Sequence, residues 1–372
     1  MAVGSPVGLG SAVKVLAIDV GCGTSDMLLW DSSTEGENQT HLIVPSATCV
    51  VAAEIGEATR RGLPVVFAGP LMGGGPNMEA MKLHVARGLP FLATPSAAAS
   101  FDDDLRVVAA MGVTVVEDDE IGGREAARPG LRVPRLRDAV WVRSGDLRFA
   151  DLRRALTLLG ADPPPDGYAV AVQDHGLAPA GVSDRVFRFE KLTEALGTSG
   201  RLDRLFYEPG QIPAHFTRMR AVADQVDPSF PLVVGDTGPS ALWGAALAAS
   251  ATPCLAINYG NGHTLMAVVD QEKIDGLFEH HTSSLDPEKI KSYIRRFAKG
   301  GLTSAEVFAD GGHGVLPVSQ PFDPTALEIV ATGPLRRRFT TTDLPWKEAS
   351  LHGDMMLTGC YGLLRGYLAQ PR

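Results

Sequence analysis

Apolar runs of strand length alternate along this chain with stretches whose apolar residues recur at helical spacing, and the breaks between them are rich in glycine, proline and acids. That alternation predicts α/β architecture. In the first half, residues 13–18, 27–30, 65–68, 90–93, 113–116, 139–142 and 168–172 read as strands. Helices are expected at 77–87, with Asn77 as N-cap, and at 102–111, with acids in the first turn where they complement the helix dipole. The last third is cleaner. Strands are expected at 231–235, 254–258, 265–269, 273–278 and 327–331, with a helix of small residues at 239–249, an amphipathic helix at 286–298 and a closing helix at 351–368. Residues 122–137 read as an exposed loop, 162–167 as a stiff proline turn and 1–11 as a frayed tail unlike a signal peptide.

Two of the breaks carry chemistry. The first strand runs into Asp19, then Val20-Gly21-Cys22-Gly23-Thr24-Ser25, then a second strand. Gly21 and Gly23 let backbone N–H groups approach phosphate oxygens, Thr24 and Ser25 add hydroxyl donors, and Asp19 is a hard oxygen ligand suited to hydrated Mg²⁺. A plain hairpin tip uses the same residue types. The second break, Asn258-Tyr259-Gly260-Asn261-Gly262-His263-Thr264, repeats the logic between two later strands. Two such turns facing each other across a cleft would clamp a triphosphate.

Through these two turns the chain resembles the actin-like ATPase superfamily: actin, hexokinase and the glycerol-type sugar kinases. The resemblance places the phosphate motifs at 19–26 and 258–264, connecting helices at 239–249 and 356–366, and an adenosine motif at Ala331-Thr332-Gly333-Pro334. Small residues on both helices (Gly238, Ala241, Gly244, Ala245 and Ala248; Gly359, Gly362 and Gly366) suit a close crossing at a hinge. The resemblance implies a two-lobed fold of duplicated ribonuclease H-like lobes. Residues 12–252 would form the first lobe, with a long insertion at about 72–228, and 253–372 the second. It also implies ATP and Mg²⁺ as cofactors. In the sugar kinases an Asp before the first connecting helix is the catalytic base, which falls here on Asp236; the same residue also reads as a helix N-cap. Arg336 would stack on adenine or pair with phosphate, or lie in a solvent-facing basic turn.

Along its whole length the chain further resembles a family labelled a pyruvate formate-lyase activating enzyme, through phrases such as Gln173-Asp174-His175-Gly176, Asn261-Gly262-His263-Thr264 and Glu279-His280-His281-Thr282. An activase of the radical type needs three closely spaced cysteines. Cys22, Cys49, Cys254 and Cys360 are scattered, and Cys22 is expected to be a small buried residue. Their usage suits a reduced, cytoplasmic protein.

Histidine usage adds a separate candidate. His175, His263, His280, His281 and His313 sit in short phrases rich in glycine or hydroxyls, with Asp174 beside one of them. Such a set suits a substrate, a phosphate or a transition metal; each ring could equally bond a loop backbone. His280 and His281 are adjacent after a strand, so they point to opposite faces if the strand continues, and at most one reaches a shared site.

A formal net charge of −9 argues against general affinity for nucleic acid or anionic membrane, and no apolar window is long enough to span a bilayer. The readings left open are an ATP- and Mg²⁺-dependent phosphotransferase or ATPase acting on a small molecule, a nucleotide-dependent switch acting on a partner enzyme, and a histidine-based metal protein. Oligomeric state is not legible.

Overall fold

The computed structural model describes residues 12–117, 138–160, 165–339 and 343–371. The readings for 1–11 and 122–137 lie outside them, as do residues 162–164 of the expected proline turn. The described strands, in chain order, are β1 (Lys14–Val20), β2 (Thr24–Asp31), β3 (Thr40–Pro45), β4 (Val65–Ala68), β5 (Phe91–Ala93), β6 (Thr114–Val115), β7 (Val140–Arg143), β8 (Gly167–Val172), β9 (Phe206–Tyr207), β10 (Leu232–Gly235), β11 (Cys254–Tyr259), β12 (His263–Asp270), β13 (Lys273–His281), β14 (Gly312–Leu316), β15 (Glu328–Thr332) and β16 (Trp346–Glu348).

Contacts divide the chain into two compact units. One takes in Met1–Gly21, Asp26–Val44 and Gly160–Arg372; the other takes in Cys22–Ser25 and Pro45–Leu159. The segment anticipated as an insertion, 72–228, therefore divides. Up to Leu159 it belongs to the second unit, and beyond Gly160 it supplies β8 to the heart of the first.

The first unit holds two six-stranded sheets. Their orders are β3-β2-β1-β8-β10-β9 and β14-β13-β12-β11-β15-β16. In the first, β8 runs parallel to both β1 and β10. In the second, β12 is antiparallel to β11 and β13, while β15 runs parallel to β11 and β16. Stripped of one added edge strand each, the two sheets carry the same five-stranded order. Three chain-consecutive strands lie side by side, and two later ones continue the sheet parallel to the first of them. That pattern, present twice, is the duplicated ribonuclease H-like lobe, and it defines the α/β fold of the actin-like ATPases.

The helices Thr237–Leu247 and Thr358–Leu368 are buried along most of their length, because their small residues admit close backbone approach. A Cβ on Gly244 would collide with the Thr358 carbonyl, and one on Gly362 with the Ser240 carbonyl. Their apolar residues, among them Leu242, Trp243, Leu363 and Leu364, join strand residues of both sheets in one core, including Val15, Ala169, Ala256 and Leu265. The amphipathic helix Pro287–Ala298 covers the other face of the second sheet through Ile290, Ile294 and Phe297.

The second unit is built on the parallel sheet β6-β5-β4-β7. Its strands are short, and the central pair, β4 and β5, is apolar and mostly buried. Val51 and Ile55 of the helix Ala47–Arg61, Met81 of the helix Pro76–Ala86 and a ring cluster of Phe67, Phe91 and Phe101 fill its core. No described helix is long and apolar enough to cross a membrane.

Several element boundaries differ from expectation for local reasons. Gly75 (φ 102°) precedes the helix Pro76–Ala86, with Pro76 at its first position. Asn77 is therefore not the cap; it lies buried inside, donating to the Gly73 carbonyl at 3.0 Å. Asp104 caps the short helix Leu105–Ala110, so the expected start at 102 shifts inward. The closing helix begins only at Thr358, after two 3-10 turns.

Candidate functional site

Asp19 stands near the end of β1 and is half-buried, with its Oδ1 out of reach of solvent. Its Oδ1 finds no hydrogen-bond partner among the described residues. A Cβ on Gly359 would collide with its Oδ2, so only glycine lets the closing helix pass this carboxylate. Burial, and then the charges of Asp26 and Asp236, push the Asp19 carboxyl well above the usual carboxylate range. An orphaned, desolvated carboxylate under negative fields is a fitting ligand for Mg²⁺, since a hard cation satisfies the oxygen and reverses the unfavourable field.

Gly21, Cys22 and Gly23 link β1 to β2, and Thr24 and Ser25 open β2. Within the second unit, Cys22 and Gly23 are tied to the start of the helix Ala47–Arg61. Ser46 Oγ and Thr48 Oγ1 donate to the Cys22 carbonyl at 2.8 and 3.0 Å, and Ser46 N donates to the Gly23 carbonyl at 3.1 Å. Cys22 is exposed rather than buried, because its backbone, not its side chain, is what the turn holds in place.

The second glycine turn is closed by its own bonds. Gly260 N donates to the His263 carbonyl at 3.0 Å, and Thr282 Oγ1 donates to the Gly260 carbonyl at 2.8 Å. The buried Thr264 hydroxyl sits 3.0 Å from the Thr282 hydroxyl, so it braces the turn. Asn261 and Gly262 at the tip are exposed.

Asp236 caps the helix Thr237–Leu247. Its Oδ1 accepts from Gly238 N (3.0 Å) and Arg188 Nη2 (2.9 Å); its Oδ2 accepts from Asp174 N (3.1 Å) and Arg188 Nη1 (2.7 Å). A carboxylate offers about four lone-pair sites, and all are taken. In this arrangement Asp236 has no lone pair free to receive a substrate proton. Asp174 is likewise engaged, accepting from Gly176 N and Met219 N at 2.8 and 2.9 Å, although burial pushes its carboxyl up to about 6.

Arg188 was not singled out from sequence, and it is the hub of the site. Wholly buried on the helix Asp184–Leu196, it donates to both oxygens of Asp236, to the Asp174 carbonyl (2.7 Å) and, through Nε, to Glu279 Oε1 (2.9 Å). The signal was present in the sequence: Arg188 is flanked by Phe187 and Phe189 and lies four residues before Leu192, on an apolar helix face. Glu279 Oε1 also bonds His263 Nδ1 at 2.8 Å, and its Oε2 has no partner among the described residues. Burial is the largest single influence and opposes the Glu279 charge, but Arg188 together with His313 and His263 outweighs it and holds the carboxylate well below its ordinary range. An ionised carboxylate only accepts, so His263 carries its proton on Nδ1 and keeps its lone pair on Nε2.

Around that lone pair the structure gathers imidazoles. His263 lies 5.2 Å from His175, 4.5 Å from His313 and 4.9 Å from His281 between ring centroids. One ring nitrogen from each of His175, His263 and His313 falls within 4.8 Å of the others. Burial, the largest cause in each case, pushes His175 well below its ordinary range, His281 down to about 4 and His313 down to about 2, so all three are neutral at physiological pH. His280 is not of this group. β13 runs on through His281, which sends Glu279 and His281 to one face and His280 to the other. His280 Nε2 meets Asp310 Oδ2 at 3.2 Å and its ring packs near Tyr293.

The expected adenosine segment is pinned. Gly333 takes φ 93°, where a Cβ would meet the Tyr259 carbonyl, and Thr332 is buried beside Met355. Pro334 follows in the turn before the short helix Arg336–Phe339. Arg336 is nine-tenths buried, bonds Glu348 at 2.7 Å through Nε and donates to the Gly333 carbonyl at 3.1 Å. It therefore fastens the turn and neither faces solvent nor stands free to stack on a base.

These features define a protein of actin-like fold with an acid whose Oδ1 is buried and unpartnered at the end of its first strand, and an imidazole cluster above an Arg–carboxylate network. Residues 72–338 match the family model described as "Putative pyruvate format-lyase activating enzyme (DUF1786)", and the chain belongs to that family. No curated protein matches it. Among solved structures it is similar to an inorganic polyphosphate/ATP-glucomannokinase from Arthrobacter sp. strain KM (13% identity, TM-score 0.34, over 96% of this chain and 100% of that one). A gluconate kinase from Lactobacillus acidophilus is similar at 8% identity and TM-score 0.32, over 97% and 91%. A reductive activator for a corrinoid, iron-sulfur protein is similar at 10% identity and TM-score 0.32, over 97% of this chain and 62% of that one. The fold rests on the strand order, not on these scores. The cysteines do not fit an iron–sulfur cluster: Cys254 lies in the core of β11 with its thiol pushed up to about 12 by burial, Cys360 is buried against the Asp26 carbonyl, and the group of side chains spaced to hold a metal ion among the described residues, His175, His263 and His313, contains no cysteine.

Proposed function

We propose that this protein is a nucleotide-dependent phosphotransferase or ATPase in which Asp19 and the turn Gly260–Thr264 take part in binding the phosphates of ATP. The observation that carries the reading is Asp19: a carboxylate with one buried oxygen that has no hydrogen-bond partner among the described residues, at the end of the first strand of a duplicated actin-like fold. Bound there, Mg²⁺ would supply charge neutralisation to phosphate oxygens, which is the main demand of in-line phosphoryl transfer. Asn261 and Gly262, exposed at the tip, would offer backbone N–H donors to phosphate, and Thr264 keeps the turn in shape. Asp236 serves as cap and as partner of Arg188 rather than as base. That occupancy of all four lone pairs favours, as the second reading, a switch that binds nucleotide tightly, turns it over slowly and acts on a partner enzyme.

ADP release from the purified full chain, with Mg²⁺ and ATP, with and without a panel of hydroxylated small molecules, separates the readings. Stimulation by an acceptor supports a kinase. Tight nucleotide binding with slow, acceptor-independent turnover supports the switch. Absence of ATP binding at millimolar concentration overturns both.

A further inference from the structure

We propose that His175, His263 and His313 form a binding site for one divalent transition-metal ion of the Zn²⁺, Co²⁺ or Fe²⁺ type, with His281 at its edge. The site does not depend on the nucleotide reading. It draws on three separate pieces of the chain: the loop after β8, the start of β12 and the strand β14. Side chains brought together from such distances at the heart of a unit are not a by-product of local turn geometry.

Four observations carry it. The three rings already present nitrogens within 4.8 Å of one another. A tetrahedral site with metal–nitrogen bonds of about 2.0–2.1 Å needs its ligand atoms roughly 3.4 Å apart, so small side-chain rotations close the gap. His313 is 2% exposed, yet neither ring nitrogen has a hydrogen-bond partner among the described residues. A neutral imidazole always has one N–H to give and one lone pair to fill, so burying both unmet is unfavourable unless a ligand takes the lone pair. His263 is oriented by Glu279 through Nδ1, which fixes the tautomer that offers Nε2; a carboxylate behind a ligating imidazole is the usual outer support of a metal centre. Finally, the charges beneath the rings do not balance. Asp236 and Glu279 face Arg188 alone in the buried network, and Glu279 Oε2 is left without a partner. A dication above His263 compensates that excess.

The donor set selects the metal class. Neutral imidazoles without thiolate suit borderline first-row ions rather than Mg²⁺ or Ca²⁺, which prefer oxygen. Three protein ligands also leave a coordination position for water or a substrate oxygen, as in sites that do chemistry. His281 reaches the edge of the cluster, 4.7 Å from His313 between ring centroids.

The test uses Co²⁺ as probe. Full-length protein, stripped with a chelator, is titrated with Co²⁺ and followed by visible absorption. The expected result is saturation at about one equivalent with the intense bands of a four- or five-coordinate nitrogen site, bleached by Zn²⁺. His263→Gln and His313→Gln should each weaken binding by about 100-fold or more, and Glu279→Gln by about 10- to 100-fold. His280→Gln, on the same strand but outside the cluster, should bind as the parent does. X-ray absorption of the Co²⁺-loaded parent should show imidazole scattering, a readout that does not depend on any variant folding. An oxygen-only shell, no saturable Co²⁺ uptake by the parent, or parent-like affinity in a folded His263→Gln protein overturns the site.

Discussion

The two glycine turns stand at the same place in two sheets of the same strand order, and their residues align one for one: Asp19-Val20-Gly21-Cys22-Gly23-Thr24-Ser25-Asp26 against Asn258-Tyr259-Gly260-Asn261-Gly262-His263-Thr264-Leu265. The glycines are kept and the chemistry is exchanged. Where the first sheet places the acids Asp19 and Asp26, the second places Asn258 and Leu265; where the first has Thr24, the second has His263. The first acid has one buried, unmet oxygen, whereas the buried acids near the second turn are met by Arg188. One scaffold thus carries an acidic end with no arginine on Asp19, and an end where a single arginine meets two acids beneath an imidazole cluster. A duplicated fold does not have to duplicate its site; the backbone repeats while the residues at strand ends diverge.

The most severe way to break this contrast is to remove the compensation. Arg188→Met leaves Asp236 and Glu279 buried without their cation, which puts the second end in the condition of the first. Breaking one side of a buried ion network costs about 3–5 kcal/mol. Urea denaturation should show that loss, and a loss below about 1 kcal/mol would mean the network is not closed in solution.

The reverse exchange tests the first end. Asp19→Asn copies Asn258 onto the first strand. The fold should survive, and its stability should hold or rise slightly, because an unpaired buried carboxyl is replaced by a neutral amide of the same shape. Mg²⁺-dependent ATP turnover, or Mg²⁺-dependent nucleotide affinity if turnover is slow, should fall by about 100-fold or more. Parent-like nucleotide behaviour in the folded variant would remove Asp19 from the phosphate site.

What could be read from sequence follows from the range of the interactions involved. The strands around both turns, the glycine spacing and the small-residue helices are local patterns, and they are present as β1, β2, β11, β12 and the helices Thr237–Leu247 and Thr358–Leu368, the last with a later start than expected. The opposite facing of His280 and His281 was also legible, since strand parity alone decides it. The convergence of His175 and His313 on His263 was not, because it depends on how β8 and β14 are placed in different sheets. Arg188 was missed because a charged residue on a helix is usually solvated, and only its apolar flanks betray its burial. The helix Ala47–Arg61 was missed as well; its mix of alanine, valine, threonine and glycine gives a weak signal, and the Ser46 cap that starts it is a single residue.

A third prediction probes what the two halves share. The connecting helices meet where Gly244 and Gly362 leave no room for a side chain. Gly244→Ala gains roughly 1 kcal/mol in helix propensity but drives its methyl into the Thr358 carbonyl, and overpacking of this kind costs about 1–3 kcal/mol. The net expectation is destabilisation of up to about 2 kcal/mol, read as a lowered melting temperature. A stabilised variant would show that the crossing is loose and that the contrast between the ends need not be transmitted through it.

The smallest effect distinguishes the far ends of the corresponding parallel strands. β8 opens on Gly167, where a Cβ would collide with Tyr367, while β15 opens on Glu328, a charged residue with partners of its own. Burial works against the Glu328 charge, but Lys347 at 2.7 Å and the Ser250 hydroxyl and N–H at 2.6 and 2.8 Å prevail and lower its pKa from 4.5 to about 2. A depressed carboxylate contributes stability that is present in full above its unfolded value and is lost as pH falls through the folded one. The contribution of Glu328 should therefore be whole at pH 6 and fade between about pH 4.5 and pH 2. Its partner Lys347 is largely exposed, so water and salt screen the pair and its worth is a few tenths of a kcal/mol to about 1 kcal/mol. Glu328→Gln should lower stability by that amount at pH 6 and by progressively less on acidification, until parent and variant coincide near pH 2. A difference that instead grew toward low pH would mean that Glu328 is held protonated in the folded protein, and the two strand ends would then be alike in carrying no net charge.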